Sequence, residues 1–478
     1  MKRMIINMLR QSEIERKRVI LYFGDKIDKY RDDILKDLAT LVAIPSVCCE
    51  AKEDMPLGKN SAQALDCILK MAQGMGLDTK NVGNYAGHAE YGAGEEVAAV
   101  LTHVDVVPAG DGWDTAPFTM TQKGNLYFGR GTADDKGAAV VALYCLKVLK
   151  EEKVKGKRRL RAIFGAGEEI NSGDLRAYFK SEQMPVMGFT PDSEYGICNR
   201  EKGILHFDLT GDNQSTVICK FHAGTVVNAV PDKASALITC TGDQFFQMAQ
   251  EAKQSKGNFV LEKTLDGASI CSIGIASHAM QPEKGLNAAA YLIELLDKVF
   301  SKEDLGSFLT FLSQNIGTEV NGASIGVQQS DEQSGDLTLN IGIVDMMADS
   351  ACASVDLRYP VTANGDQIIH TIQTCAEKSG LTMNIAENKL PLFLPENSPL
   401  ITLLQNSFAA VTGQKAEVYA TGGGTYAREL HGNGVAFGPF FQDEPDRRLH
   451  NSNENIDIDR FMIHARICLE AMYRMLTE

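Results

Sequence analysis

Histidines and carboxylates recur at a few short sites flanked by apolar or glycine-rich runs, a pattern suited to cation binding. His103-Val-Asp105 follows the apolar run Val97–Thr102. In a parallel α/β sheet, functional groups gather at the carboxyl ends of strands, and an x+2 pair sends both side chains to one side. His103 could bind a metal while Asp105 accepts its other ring N–H and fixes the tautomer. Taken alone, the pair also suits a strand-end histidine beside a solvated aspartate. Asp134-Asp135 lies in GRGTADDKG (129–137), ahead of a strongly apolar helical run. Adjacent carboxylates at a helix start are costly unless a cation or the helix dipole compensates. One could bridge two metals, although an N-cap with a polar first turn remains open. Glu168-Glu169 follow the run LRAIFGA (160–166) and Gly167. One could coordinate a metal and the other act as general base for a bound water; an acidic helix start would look the same. Asp192 in TPDSE (190–194) and His450 in RLHNSNE (448–454) are weaker signals singly. Together, His103, Asp134, Glu169, Asp192 and His450 make a mixed nitrogen and oxygen donor set. They can serve two metals if one carboxylate bridges, and a site that also keeps water is suited to hydrolysis.

Those residues need a scaffold that brings strand ends together. Residues 30–200 alternate strand and helix: helices over 34–41, 61–75 and 136–150, with buried strands over 96–103 and from 160. The alternation predicts a mostly parallel sheet covered by helices. A second such stretch runs from about 385, with a helix over 398–412, a strand from 434 and a long final helix over 456–475. The middle differs. Strand-like segments (205–210, 216–221, 235–240, 268–275, 338–345, 351–358) cluster among helix-like ones (243–255, 286–300, 365–379). The expected architecture is an α/β catalytic domain, in parts 1–202 and 385–478, with an inserted α+β lid domain over 203–384. The polar, Gly/Ser-rich stretch 313–336 reads as a loop or flap.

A net charge of −15 opposes nucleic acid and anionic membrane surfaces as partners. The 11 cysteines are scattered and form no Cys-x-x-Cys, which suits a reducing compartment. The run MKRMIINMLRQSEIERK (1–17) is broken by Asn7 and Arg10, too short for a signal h-region. No apolar run approaches the roughly 20 residues of a membrane span. The cytoplasm is the expected location.

Nine short runs, in order, resemble the M20 metallopeptidases and within them the PepV-like dipeptidases. They are HVDVVPAGDGW (103–113), GRGTADDKG, GAGEE (165–169), TPDSE, NAVPDKA (228–234), SHAMQPEKGLNA (277–288), DLRYP (356–360), GGGTYAR (422–428) and HNSNE (450–454). The resemblance spans about 30–475. It implies His103, Asp134, Glu169, Asp192 and His450 as metal ligands, with Asp134 bridging and the peptide bond after it cis. One metal takes Asp134, Glu169 and His450; the other takes Asp134, Asp192 and His103. Glu168 resembles the general base that activates a metal-bridging water, and Asp105 the partner orienting His103. His278 resembles the group that polarises the scissile carbonyl, an oxyanion role. Asn228 and Arg358 resemble substrate-holding groups, an Arg suiting a bidentate grip on a carboxylate. Gly422, Gly423 and Gly424 are expected to offer backbone N–H groups to the substrate's carboxylate.

The implied activity is two-metal hydrolysis of dipeptides or very short peptides by a monomer. Two divalent ions are expected, zinc first, with manganese or cobalt as alternatives. A deacylase of N-acyl amino acids or of succinyl-diaminopimelate shares the metals and the base. A non-catalytic metal-binding protein on this scaffold would not need Glu168. An ATP-dependent ligase, suggested by GGGTY, lacks a Gly-x-x-x-x-Gly-Lys-Ser/Thr phosphate loop.

Overall fold

The computed structural model describes residues 22–170 and 172–478. The reading of the run 1–17 therefore lies outside the described residues. The chain divides into two compact units. The first takes the chain to Asn199 with Leu394–Tyr419 and Thr425–Glu478; the second takes Arg200–Phe393 with Ala420–Gly424.

At the centre of the first unit lie four parallel strands. Arg159–Gly165 pairs with Val97–His103, which pairs with Met187–Thr190, which pairs with Gly434–Ala436. Ala86–Gly92 and Asp78–Val82 extend this sheet antiparallel beyond Arg159–Gly165. Val97–His103 is buried at every residue, as a strand covered on both faces must be. Helix Lys136–Glu151 is buried along nearly its whole length, which its all-round apolar sequence requires. The final helix, Ile458–Thr477, packs against both Lys136–Glu151 and the 3-10 helix Phe23–Tyr30, where Phe23 stacks on Tyr473 at 4.3 Å. One core thus draws on both ends of the chain.

The second unit is built on an eight-stranded sheet. Its order is Asn258–Lys263, Gly267–Ile273, Lys233–Thr239, Ile218–Ala223, Thr338–Met346, Ala351–Tyr359, Gly203–Gly211 and Thr382–Lys389. Every pairing is antiparallel. Helices Gly242–Gln254, Ala288–Asp297, Lys302–Asn315 and Gly365–Lys378 contribute to a separate core.

Two features depart from the sequence reading. This unit runs on to Phe393 because Thr382–Lys389 adds to Gly203–Gly211 as an edge strand. The stretch 313–336 is not a loose flap: helix Lys302–Asn315 ends inside it, and Ile316, Ile325 and Val327 are buried in the core. Apolar residues spaced among the polar ones anchor that loop. Among the described residues the cysteines form no disulfide. Among the described residues no helix is long and apolar enough to cross a membrane.

Candidate active site

The acids and histidines singled out in the first unit meet at the carboxyl ends of its parallel strands. His103 closes Val97–His103, Glu168 and Glu169 follow Arg159–Gly165, and Asp192 follows Met187–Thr190. Asp134 precedes helix Lys136–Glu151, and His450 lies in the loop before the final helix. Ligand atoms of His103, Glu168 and Asp192 lie within 4.8 Å of one another, as do those of Asp134, Glu169 and His450. Asp134 joins the two groups. Its Oδ1 is 3.0 Å from His103 Nε2, and its Oδ2 is 3.0 Å from His450 Nε2, which also lies 3.2 Å from Glu169 Oε2. The Asp134–Asp135 peptide bond is cis.

The electrostatics are those of a site short of positive charge. Burial, then the negative charge of Asp134, push Asp192 up to about 7 against the pull of His103. Burial, then Asp192, Glu169 and Asp105, push Glu168 well above the usual carboxylate range, with His103 opposing. Burial would also raise Asp134, but His103 and His450 outweigh it and hold its carboxyl low. Hydrogen bonds to Asp134 and Glu169 raise His450 to about 11. Burial opposes the charge of His103, yet Asp105 and Asp134 hold its pKa well above 6.5. Such crowding of buried acids is costly unless cations or protons compensate. His103 Nε2 is buried and meets no partner at hydrogen-bond geometry, although Asp134 Oδ1 is near. That unsatisfied ring nitrogen among carboxylate oxygens belongs to a donor set that fits divalent cations once its proton is displaced.

A second ring of buried groups holds these side chains. Asp105, expected to orient the His103 ring, has its carboxylate Oδ1 3.5 Å from Nδ1, with its backbone carbonyl closer at 3.1 Å. Its carboxylate also accepts the N–H groups of Glu168 at 3.2 Å and Glu169 at 3.1 Å, fixing the paired-acid turn. Asp135 accepts the N–H of His103 at 3.2 Å. Asp174 accepts from Gly167 N–H at 2.8 Å and from the Tyr426 hydroxyl.

Glu454, fully buried, accepts N–H groups of Gly131, Ala133 and Asp134 at 3.0, 2.9 and 3.1 Å. Arg130 Nη1 donates to it at 2.7 Å. Glu454 therefore ties the turn of Asp134 to the segment carrying His450. The sequence reading quoted Glu454 and Tyr426 only within motifs and passed over Asp174. No spacing signal marks an acid whose partners are backbone N–H groups. Glu454→Ala strands the Arg130 guanidinium and is expected to cost about 3–5 kcal/mol. Chemical denaturation measures this; an unchanged midpoint would show that the pair holds nothing.

The residues expected to hold substrate lie in the second unit. Asn228 and His278 are neighbours there: Ala229 and His278 form an isolated bridge, and Ala279 N–H donates to Asn228 O at 2.9 Å. His278 Nδ1 accepts from Met280 N–H at 3.0 Å, which keeps the ring proton on Nε2. Arg358 is buried; its Nη1 donates to Gly422 O at 3.1 Å. Gly422 packs so closely that an added Cβ would stand 2.9 Å from Met280 Cβ. Gly423 N–H donates to Thr421 Oγ1 at 3.0 Å, because the turn folds back on its own threonine.

The chain is 33% identical over 472 residues to a protein of Staphylococcus epidermidis named "Putative dipeptidase", covering 95% of this chain and 99% of that one. The solved aminoacylhistidine dipeptidase of Vibrio alginolyticus shares the fold with a TM-score of 0.57 at 16% identity, over 93% of this chain and 96% of that chain. Human carnosine dipeptidase 1 does so with a TM-score of 0.56 at 13% identity, over 95% and 98%. Residues 99–474 match the model of peptidase family M20/M25/M40, and the chain belongs to that family.

Proposed function

We propose that this protein hydrolyses the peptide bond of dipeptides and very short peptides at a centre of two divalent cations, zinc first among them. The observation that carries the reading is the convergence of His103, Asp134, Glu168, Glu169, Asp192 and His450 into two adjoining groups. Asp134, Glu169 and His450 would hold one cation. Asp134, Asp192 and His103 would hold the other, with Asp134 shared. Bound there, the cations would supply Lewis-acid polarisation of the carbonyl and ease ionisation of the attacking water.

The chain's own groups do the rest. Glu168 takes the proton of the attacking water and passes it to the leaving amine. Asp105 keeps Glu168 and Glu169 on one turn through their N–H groups. His278, through Nε2–H, donates to the carbonyl oxygen as negative charge develops there. Arg358 grips the substrate's carboxylate, with Asn228 and the turn Gly422–Gly424 beside it in the same reading. The likeness to relatives named dipeptidases supports this substrate class over a deacylase.

The test is a substrate panel on metal-loaded protein. Dipeptides are expected to turn over, tripeptides less well, and a hexapeptide poorly. Equal rates on a dipeptide and a hexapeptide, or turnover of N-acyl amino acids alone, would overturn the reading.

A further inference from the structure

Arg358 is held by a row of charges that crosses three strands of the second unit. Ala351–Tyr359 pairs with Gly203–Gly211, which pairs on its other side with Thr382–Lys389. The registers set Asp356 opposite His206, and His206 opposite Glu387. Side chains directly opposite on neighbouring strands can interact, and those at i and i+2 share a face. Arg358 therefore stands beside Asp356. Its Nε and Nη2 donate to the two Asp356 oxygens at 2.6 Å each. His206 Nε2 reaches Asp356 Oδ2 at 2.9 Å, while its Nδ1 lies 3.2 Å from Glu387 Oε2. Lys389 completes the row at 3.1 Å from Glu387 Oε1.

Three features make this row more than a buried salt bridge. Asp356 holds Arg358 by a two-point fork, which fixes the plane of the guanidinium. A guanidinium has five N–H donors. The fork uses two and Gly422 O a third, which leaves one on each terminal nitrogen for a ligand. Both ring nitrogens of His206 face carboxylate oxygens, which only accept, so the imidazolium satisfies both. That charge offsets Asp356, which alone would neutralise Arg358 and weaken its field toward an anion.

We propose that Asp356 and His206 are positioning residues through which Arg358 reads the free carboxylate of the substrate. The inference rests on the peptidase reading above, which gives Arg358 its ligand. It predicts a penalty confined to substrates that carry the carboxylate.

The experiment compares alanyl-alanine with alanyl-alanine amide on metal-loaded wild type, Asp356→Asn, His206→Leu and His206→Gln. Losing one charge-assisted support should raise KM for the free dipeptide about tenfold or more in Asp356→Asn. Its kcat should stay within about twofold, and KM for the amide should not move. His206→Leu should show the same split at smaller size. His206→Gln, which keeps a donor toward Asp356, should lie nearer wild type. If Asp356→Asn does not fold, the His206 pair decides. Equal losses on acid and amide, or an unmoved KM for the acid, would overturn the proposal. Wild type that cleaves N-acetyl-alanine instead would end the dipeptide reading, and the same acid and amide comparison on that substrate would still decide this one.

Discussion

Glu168→Gln is expected to lower turnover by about 10²–10⁴-fold, the usual contribution of a positioned general base, and to leave the protein able to bind two cations. The amide keeps the shape of the carboxylate and cannot accept a proton from water. The prediction is sharp because geometry alone leaves two roles open: the Glu168 carboxylate lies in the same group as His103 and Asp192, so it could coordinate. Metal analysis separates the roles. A variant that binds one cation fewer identifies Glu168 as a ligand, and one that turns over at the wild-type rate removes it from the chemistry altogether.

Chelation should abolish turnover, and re-loading with zinc, manganese or cobalt should restore it. Asp134→Asn should not recover under the same treatment, because Asp134 stands 3.0 Å from both histidine nitrogens and joins the two groups. A cation that binds only the folded chain adds about 4 kcal/mol of stability at a thousandfold excess over its dissociation constant, visible as a higher thermal midpoint. The sign of the pH dependence follows from the metal-free site. His450, raised to about 11, and His103, also raised, carry protons at neutral pH. A cation must displace them, so affinity should tighten as pH rises through the neutral range. Full activity in chelated protein, or affinity that falls with rising pH over that range, would refute this account.

Most of the proposed ligand set was legible because His103, Asp134 and Glu169 sit beside features that sequence displays well, a short apolar strand or a strongly apolar helix, whereas His450 in its polar loop gave only a weak signal. His103 after VAAVLT is the clearest case. The groups that hold those ligands were not legible. Asp135, Asp174 and Glu454 work by accepting backbone N–H groups, and such an acid looks like any other until the chain is folded. The edge strand Thr382–Lys389 escaped for a related reason: none of its residues is buried, and polar and apolar residues alternate only over Thr382–Ile385. Helix Lys302–Asn315 had a readable start in Ser301 and Asp304, which form a capping box, but the glycine at 306 and the polar run after 313 obscured it.

The interleaving of the two units bears on the order in which a ribosome can complete them. The second unit is continuous from Arg200 to Phe393 and borrows only Ala420–Gly424. Nearly all of it has emerged before the chain reaches the segment that supplies His450, Glu454 and the helix packed on Phe23–Tyr30. Domains generally fold as units during synthesis, so the inserted unit can form while its host is still two unfinished pieces. On the proposed reading the cation set stays incomplete until the segment carrying His450 arrives, so a nascent chain short of that segment has no working centre.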